Sequence, residues 1–183
     1  MQCARVKQLL SVFLVVPLMA VPALASAERI QTRLSGYEEV PAVSTLASGE
    51  FRAMISPDET FIDYELTYSG LQAPVTQAHI HFAQPAVNGG IVVWLCGTAA
   101  LPGPAATPSC PASGTVSGTI FAAQVVGSAT ASQQLTAGEL AEVIDAIRAG
   151  SAYANVHTVV SPGGEIRGQI RGARHDDRER DDD

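Results

Sequence analysis

Along residues 28–171, short runs alternate apolar with polar positions and are separated by Gly, Pro, Ser and Asn, the pattern of half-buried antiparallel strands. The clearest run is TFIDYELTYSG, where Ile62, Tyr64, Leu66 and Tyr68 share one face and Asp63, Glu65 and Thr67 take the other. SGEFRAMIS groups Phe51, Ala53 and Ile55 in the same way, and the intervening SPDET is turn-forming, so the two runs predict a hairpin. Further strands are expected near 30–34, 75–82, 91–96, 115–121, 152–158 and 165–170. About eight strands is the range of an antiparallel sandwich or barrel. One segment departs from the period of two: TAGELAEVIDAIRAG spaces Leu140, Val143, Ile144 and Ile147 as a helix does. Thr136 and Glu139 stand in the relation of a capping box and Gly150 ends the run, so one short accessory helix should pack on the sheets.

The ends of the chain read differently. Arg5 and Lys7 precede an apolar run over 9–24, followed by Ala25, Ser26 and Ala27, so residues 1–27 are expected to be a cleaved secretory signal. The run is shorter than the roughly 20 residues of a spanning helix and holds Pro17 and Pro22, so no membrane span is expected after cleavage. Residues 28–172 form the expected domain, and 173–183, RHDDRERDDD after Ala173, a charged, solvated tail. Of the three cysteines in the 183-residue chain, Cys3 leaves with the signal. The remaining pair, Cys96 and Cys110, suits a structural disulfide in an exported, periplasmic or extracellular protein. The formal net charge of −7 argues against a nucleic-acid partner, whose phosphates call for basic groups.

Four histidines are the main candidates for chemistry. In TQAHIHF, His79 and His81 alternate with Ala78, Ile80 and Phe82, so both imidazoles leave the face opposite the core. Side chains two apart on a strand can converge on one ion, which makes H-x-H a competent metal half-site. In YANVHTV, Tyr153, Asn155 and His157 share a face, and His157 supplies a third ligand if the two strands are neighbours. The bland alternative is polar histidines on a solvated sheet face, bonded to Asn155 or Gln77. Three imidazoles suit copper or zinc better than magnesium or calcium. The acid pairs Glu38-Glu39 and Asp58-Glu59 read as surface or turn residues, and no nucleophile elbow or phosphate loop is present, so no catalytic residue is assigned.

Taken together, SGYEEVPAV, LTYSGL, AHIHF followed by NGGIVVWL, and YANVHTVVSPGGEIRGQI resemble the CHRD domain, the module named after chordin. The resemblance implies an extracytoplasmic β-sandwich acting as a non-enzymatic binding or scaffolding module for a protein or envelope component. Gly163, Gly164 and Gly168 match its closing turn and strand, whereas Phe82-Ala83-Gln84-Pro85 departs from a family pattern that has glycine soon after H-I-H. The order H-x-H, late V-H and closing G-x-I-R-G-Q is also similar, more weakly, to copper-zinc superoxide dismutase. That similarity implies copper ligands at His79, His81 and His157, but no zinc site, because no histidine lies between His81 and His157. Arg167 is equally a surface ion-pairing residue or an anion guide. The expected fold is thus an all-β, Ig-like or dismutase-like sandwich. A binding module is the first functional expectation, and a three-histidine copper protein, redox-active if an enzyme at all, is the alternative.

Overall fold

Period-two alternation builds a single antiparallel sheet, seen in a computed structural model that describes residues 26–172. The expected tail, and all but the last two residues of the expected signal, lie outside the described residues. In chain order the strands are β1 (Glu28–Ser35), β2 (Ser48–Ile55), β3 (Phe61–Ser69), β4 (Val75–Phe82), β5 (Gly90–Gly97) and β6 (Gly114–Phe121). After helix α1 (Leu140–Arg148) come β7 (Ala152–Thr158), β8 (Ile166–Gln169) and the two-residue β9 (Arg171–Gly172). All eight expected strands are present, and β9 adds a short pairing to β1. The order across the sheet is β5-β4-β7-β8-β1-β2-β3-β6. The hairpin forms in the register Phe51↔Leu66, Ala53↔Tyr64 and Ile55↔Ile62, which stacks the apolar positions of both runs on one face. The Ser56 hydroxyl closes its turn by accepting from the N–H groups of Thr60 and Phe61 at 3.0 and 3.2 Å.

The sheet curls until its edges, β5 and β6, nearly meet, giving a barrel-like sandwich filled by Phe51, Ile62, Leu66, Ile80, Leu95 and Ile120. Closure comes from the chain that follows β6. Val125 bridges Val93, and the Val126 N–H donates to the Val92 carbonyl at 2.9 Å. Two tyrosines span the interior and find carbonyls with their hydroxyls: Tyr64 at Leu95 and Tyr68 at Pro111, both 2.6 Å. The Cys96–Cys110 disulfide fastens β5 to the segment leading into β6.

Helix α1 buries Leu140, Val143, Ile144 and Ile147, the positions its spacing selects, against one end of the barrel. Each such side chain contributes about 1.5–3 kcal/mol by leaving water. Arg148 pins the same end through Glu28 at 2.8 Å and Glu59 at 2.7 Å, and Gly150 leaves the helix at φ +66. The capping box forms only in part. Glu139 Oε2 accepts from the Thr136 N–H at 2.7 Å, but no side chain caps the helix and its first turn begins after Glu139.

Opening the disulfide with Cys96→Ser and Cys110→Ser together should cost on the order of 3 kcal/mol, the loop-closure entropy of about 15 residues. Urea unfolding of the double variant against the parent measures this, and an unchanged midpoint would mean that Val125, Val126 and the two tyrosines close the barrel unaided.

Candidate metal centre

Strands β4 and β7 are direct neighbours, paired Gln77↔His157, His79↔Asn155 and His81↔Tyr153. That register sets the three histidines on one face, His157 one step along from His79. On the other side of β4 the pairing with β5 skips Leu95 and Val92, so the irregularities lie in β5, and β4 runs in continuous register with β7 from Gln77 to Phe82. The ring centroids of His79 lie 5.4 Å from His81 and 4.9 Å from His157, and those of His81 and His157 are 5.6 Å apart. One ring nitrogen from each lies within 4.8 Å of the other two. His79 Nδ1 and His157 Nε2 are 3.1 Å apart.

The alternative of a solvated face is overturned. His79, His81 and His157 expose 0%, 7% and 4% of their surface, and all of β7 is buried. The imidazoles do point away from the barrel interior, but a second layer covers them. Trp94 of β5 meets His79 edge-on at 4.4 Å, and Tyr153 stacks flat on His81 at 4.8 Å. The segments 83–89 and 159–165 add their backbones. His81 Nδ1 lies 3.0 Å from the Gly89 carbonyl and His157 Nδ1 lies 3.0 Å from that of Pro162. A carbonyl can only accept, so each Nδ1 carries the proton and each Nε2 presents a lone pair. Neither Asn155 nor Gln77 bonds a histidine; His79 pairs with His157 instead.

Two further expectations are corrected by the same covering layer, and a third charged residue joins them. Glu39, expected at the surface, is buried, and its carboxylate accepts from Asn155 Nδ2 at 3.2 Å on both oxygens. Arg167 is neither a surface residue nor part of an ion pair among the described residues. It exposes 1%, stacks 3.5 Å over the Tyr153 ring, and donates to the Val87 carbonyl at 2.9 Å and to Asn88 Oδ1 at 3.3 Å. Glu165 is fully buried and gathers Thr45 Oγ1, the Gln72 N–H and Thr158 Oγ1 at 2.8, 2.9 and 2.8 Å, tying three loops together. Tyr153, Trp94 and the two carbonyls were also missed as partners of the histidines, since adjacent-residue patterns carry no trace of contacts made across strands.

Glycine is needed where the cover presses closest. A Cβ on Gly89 would lie 1.8 Å from the Phe82 carbonyl oxygen, and Gly164, at φ +129, would meet Asn155 and Glu39 at 2.4 and 2.6 Å. A Cβ on Gly168 would lie 2.2 Å from the Arg33 carbonyl oxygen, whereas one on Gly163 would meet nothing.

The residues fit a metal ion. Nitrogen ligands about 2.0–2.1 Å from one ion stand about 3 Å apart, close to the 3.1 Å between His79 and His157. His81 Nε2 is buried without a hydrogen-bond partner, a cost that a bound ion would remove; with His79 binding through Nδ1, its own unpartnered Nε2 would carry the ring proton. Desolvation, then the neighbouring imidazoles His157 and His81, hold the His79 pKa down at about 2. Burial dominates for His81 and His157, both lowered to about 4, with Arg167 adding to the His81 shift. At neutral pH all three rings are uncharged and need release no proton to bind. Burial pushes Glu39 the other way, up to about 7, against the Asn155 hydrogen bond and the Arg167 charge.

The fold and this face define an antiparallel β-barrel domain carrying a buried three-histidine group on its outer side. The chain belongs to the CHRD domain family, whose model matches residues 30–170. Comparison with curated proteins and with solved structures gave no match.

The pKa shifts fix how stability follows pH. An unfolded imidazole takes up its proton as pH falls through about 6.5, while the folded rings resist until about 4 or below, so their contribution is complete above 6.5 and lost as pH falls. Glu39 opposes this: the folded form holds its proton up to about 7, so its contribution is present below 4.5 and lost as pH rises. Near pH 5 the metal-free protein should take up about two protons from these four groups on unfolding. Glu39→Gln should raise that toward three and increase stability at pH 8, read from urea midpoints across pH 4–8. An unaltered slope in the variant would show that Glu39 titrates normally.

Proposed function

We propose that this chain is an exported CHRD module that holds one copper ion at His79, His81 and His157. The observation that carries the reading is the convergence of three neutral, buried imidazoles, two with tautomers fixed by the Gly89 and Pro162 carbonyls. An all-nitrogen donor set suits copper or zinc, and no carboxylate or thiolate belongs to the group among the described residues. Zinc held by three histidines completes its tetrahedron with water, whereas three imidazoles satisfy Cu(I) alone, so a layer in which all three rings are buried favours copper. Bound copper would supply a one-electron couple. The chain's own part is to orient the rings, keep them unprotonated and exclude water. Export is supported by the Cys96–Cys110 disulfide and by the N-terminal pattern of a signal.

A second reading, binding of a protein or envelope component, draws support from the loops tied by Glu165. There Leu46, Val159 and Val160 are exposed by 97%, 62% and 63%, and Tyr37 on the neighbouring turn by 77%.

Metal content of the protein recovered from an oxidising compartment, with copper and zinc both supplied, tests the first reading. One ion per chain is expected, lost in His79→Ala and in His157→Ala. The single tryptophan, Trp94, abuts His79, so Cu(II) should quench its fluorescence and Zn(II) should not. Values near zero in the parent would remove the metal reading and leave the binding module.

A further inference from the structure

We propose that Arg167 determines which ion the centre prefers, favouring a monovalent cation such as Cu(I) over a divalent one; this rests on the centre proposed above. The geometry is a three-layer stack. The guanidinium lies 3.5 Å from the Tyr153 ring centroid, and that ring lies parallel to His81, 4.8 Å away. Both spacers are aromatic and buried, so little water screens the charge from the ligand it faces. Arg167 is fixed there. It is held by the Val87 carbonyl and Asn88, and Asn88 in turn donates to the Val40 carbonyl at 2.9 Å.

Charge counting gives the direction. The three rings are neutral donors, so the ion brings its full charge into a layer that already contains one buried cation. Repulsion from Arg167 is twice as large for a divalent as for a monovalent ion, and at two stacking distances this difference amounts to about a tenfold shift in relative affinity. Little else offsets it. From Phe82 to Gly138, which includes β5, β6 and Trp94, the sequence has no charged residue. On the β7–β8 side the group nearest the layer is Glu39, which meets Asn155 and makes no ion pair with Arg167. Glu165 is spent on Thr45, Gln72 and Thr158. A carboxylate at Glu39 therefore works against Arg167, and the two residues should move selectivity in opposite directions.

Ag(I) and Zn(II) are suitable probes, because both are closed-shell ions and neither needs a reductant that would open the disulfide. Competition with chelators of known affinity gives the Ag(I)-to-Zn(II) preference of the full exported chain. Arg167→Gln should lower that preference about tenfold, Arg167→Lys should retain most of it, and Glu39→Gln should raise it. Equal preference in the parent, Arg167→Gln and Glu39→Gln would overturn the inference while leaving the centre intact. Failure of the parent to bind either ion would overturn the centre and the inference together. If Arg167→Gln does not fold, Glu39→Gln still decides: a rise in the preference supports the inference, and an unchanged preference, as a merely structural role for this layer predicts, overturns it.

Discussion

The antiparallel register between β4 and β7 is the constraint on which the rest of the site depends. Pairing His79 with Asn155 and His81 with Tyr153 brings His157 beside His79, lays a phenol flat on His81 and puts Asn155 under Glu39. A slip of one residue would turn Ala154 and Val156 outward and send the polar row into the barrel. The register is protected by both faces at once. Inside, Ala78, Ile80, Ala154 and Val156 are fully buried; outside, the imidazoles and their cover are packed almost as tightly.

A sheet buried on both sides by different chemistry explains why the sequence reads clearly on one side and poorly on the other. Alternation in TFIDYELTYSG or SGEFRAMIS is a local property, and the strands, the hairpin and the apolar face of α1 follow from it directly. The same alternation places His79, His81 and His157 away from the core, and that much is legible. Whether that face is wet is decided by the 83–89 and 159–165 segments, whose grip comes from backbone carbonyls and from glycines at 89 and 164. Arg167 and Glu165 illustrate the difficulty. A charged residue at an outward strand position usually faces solvent, and only contacts made dozens of residues away, at Val87 or Thr45, reveal that these two do not.

The burial of this polar layer is also what makes it chemically distinct. Ionisable groups removed from water are displaced from their ordinary protonation, imidazoles downward and Glu39 upward, so at neutral pH the centre is a set of uncharged donors beside one fixed cation. Such an arrangement costs stability wherever a polar atom lacks a partner, as His79 Nε2 and His81 Nε2 do. The barrel can bear that cost because its interior, its edge closure and its disulfide are built from other residues.

The Pro162 carbonyl, which orients His157, belongs to the main chain and survives every side-chain substitution that leaves the backbone path unchanged. A replacement at residue 162 that keeps the backbone path therefore keeps the contact. A scan of single replacements across this loop would pass over the atom that fixes the imidazole, and would register instead the glycine at 164 that lets the chain reach it.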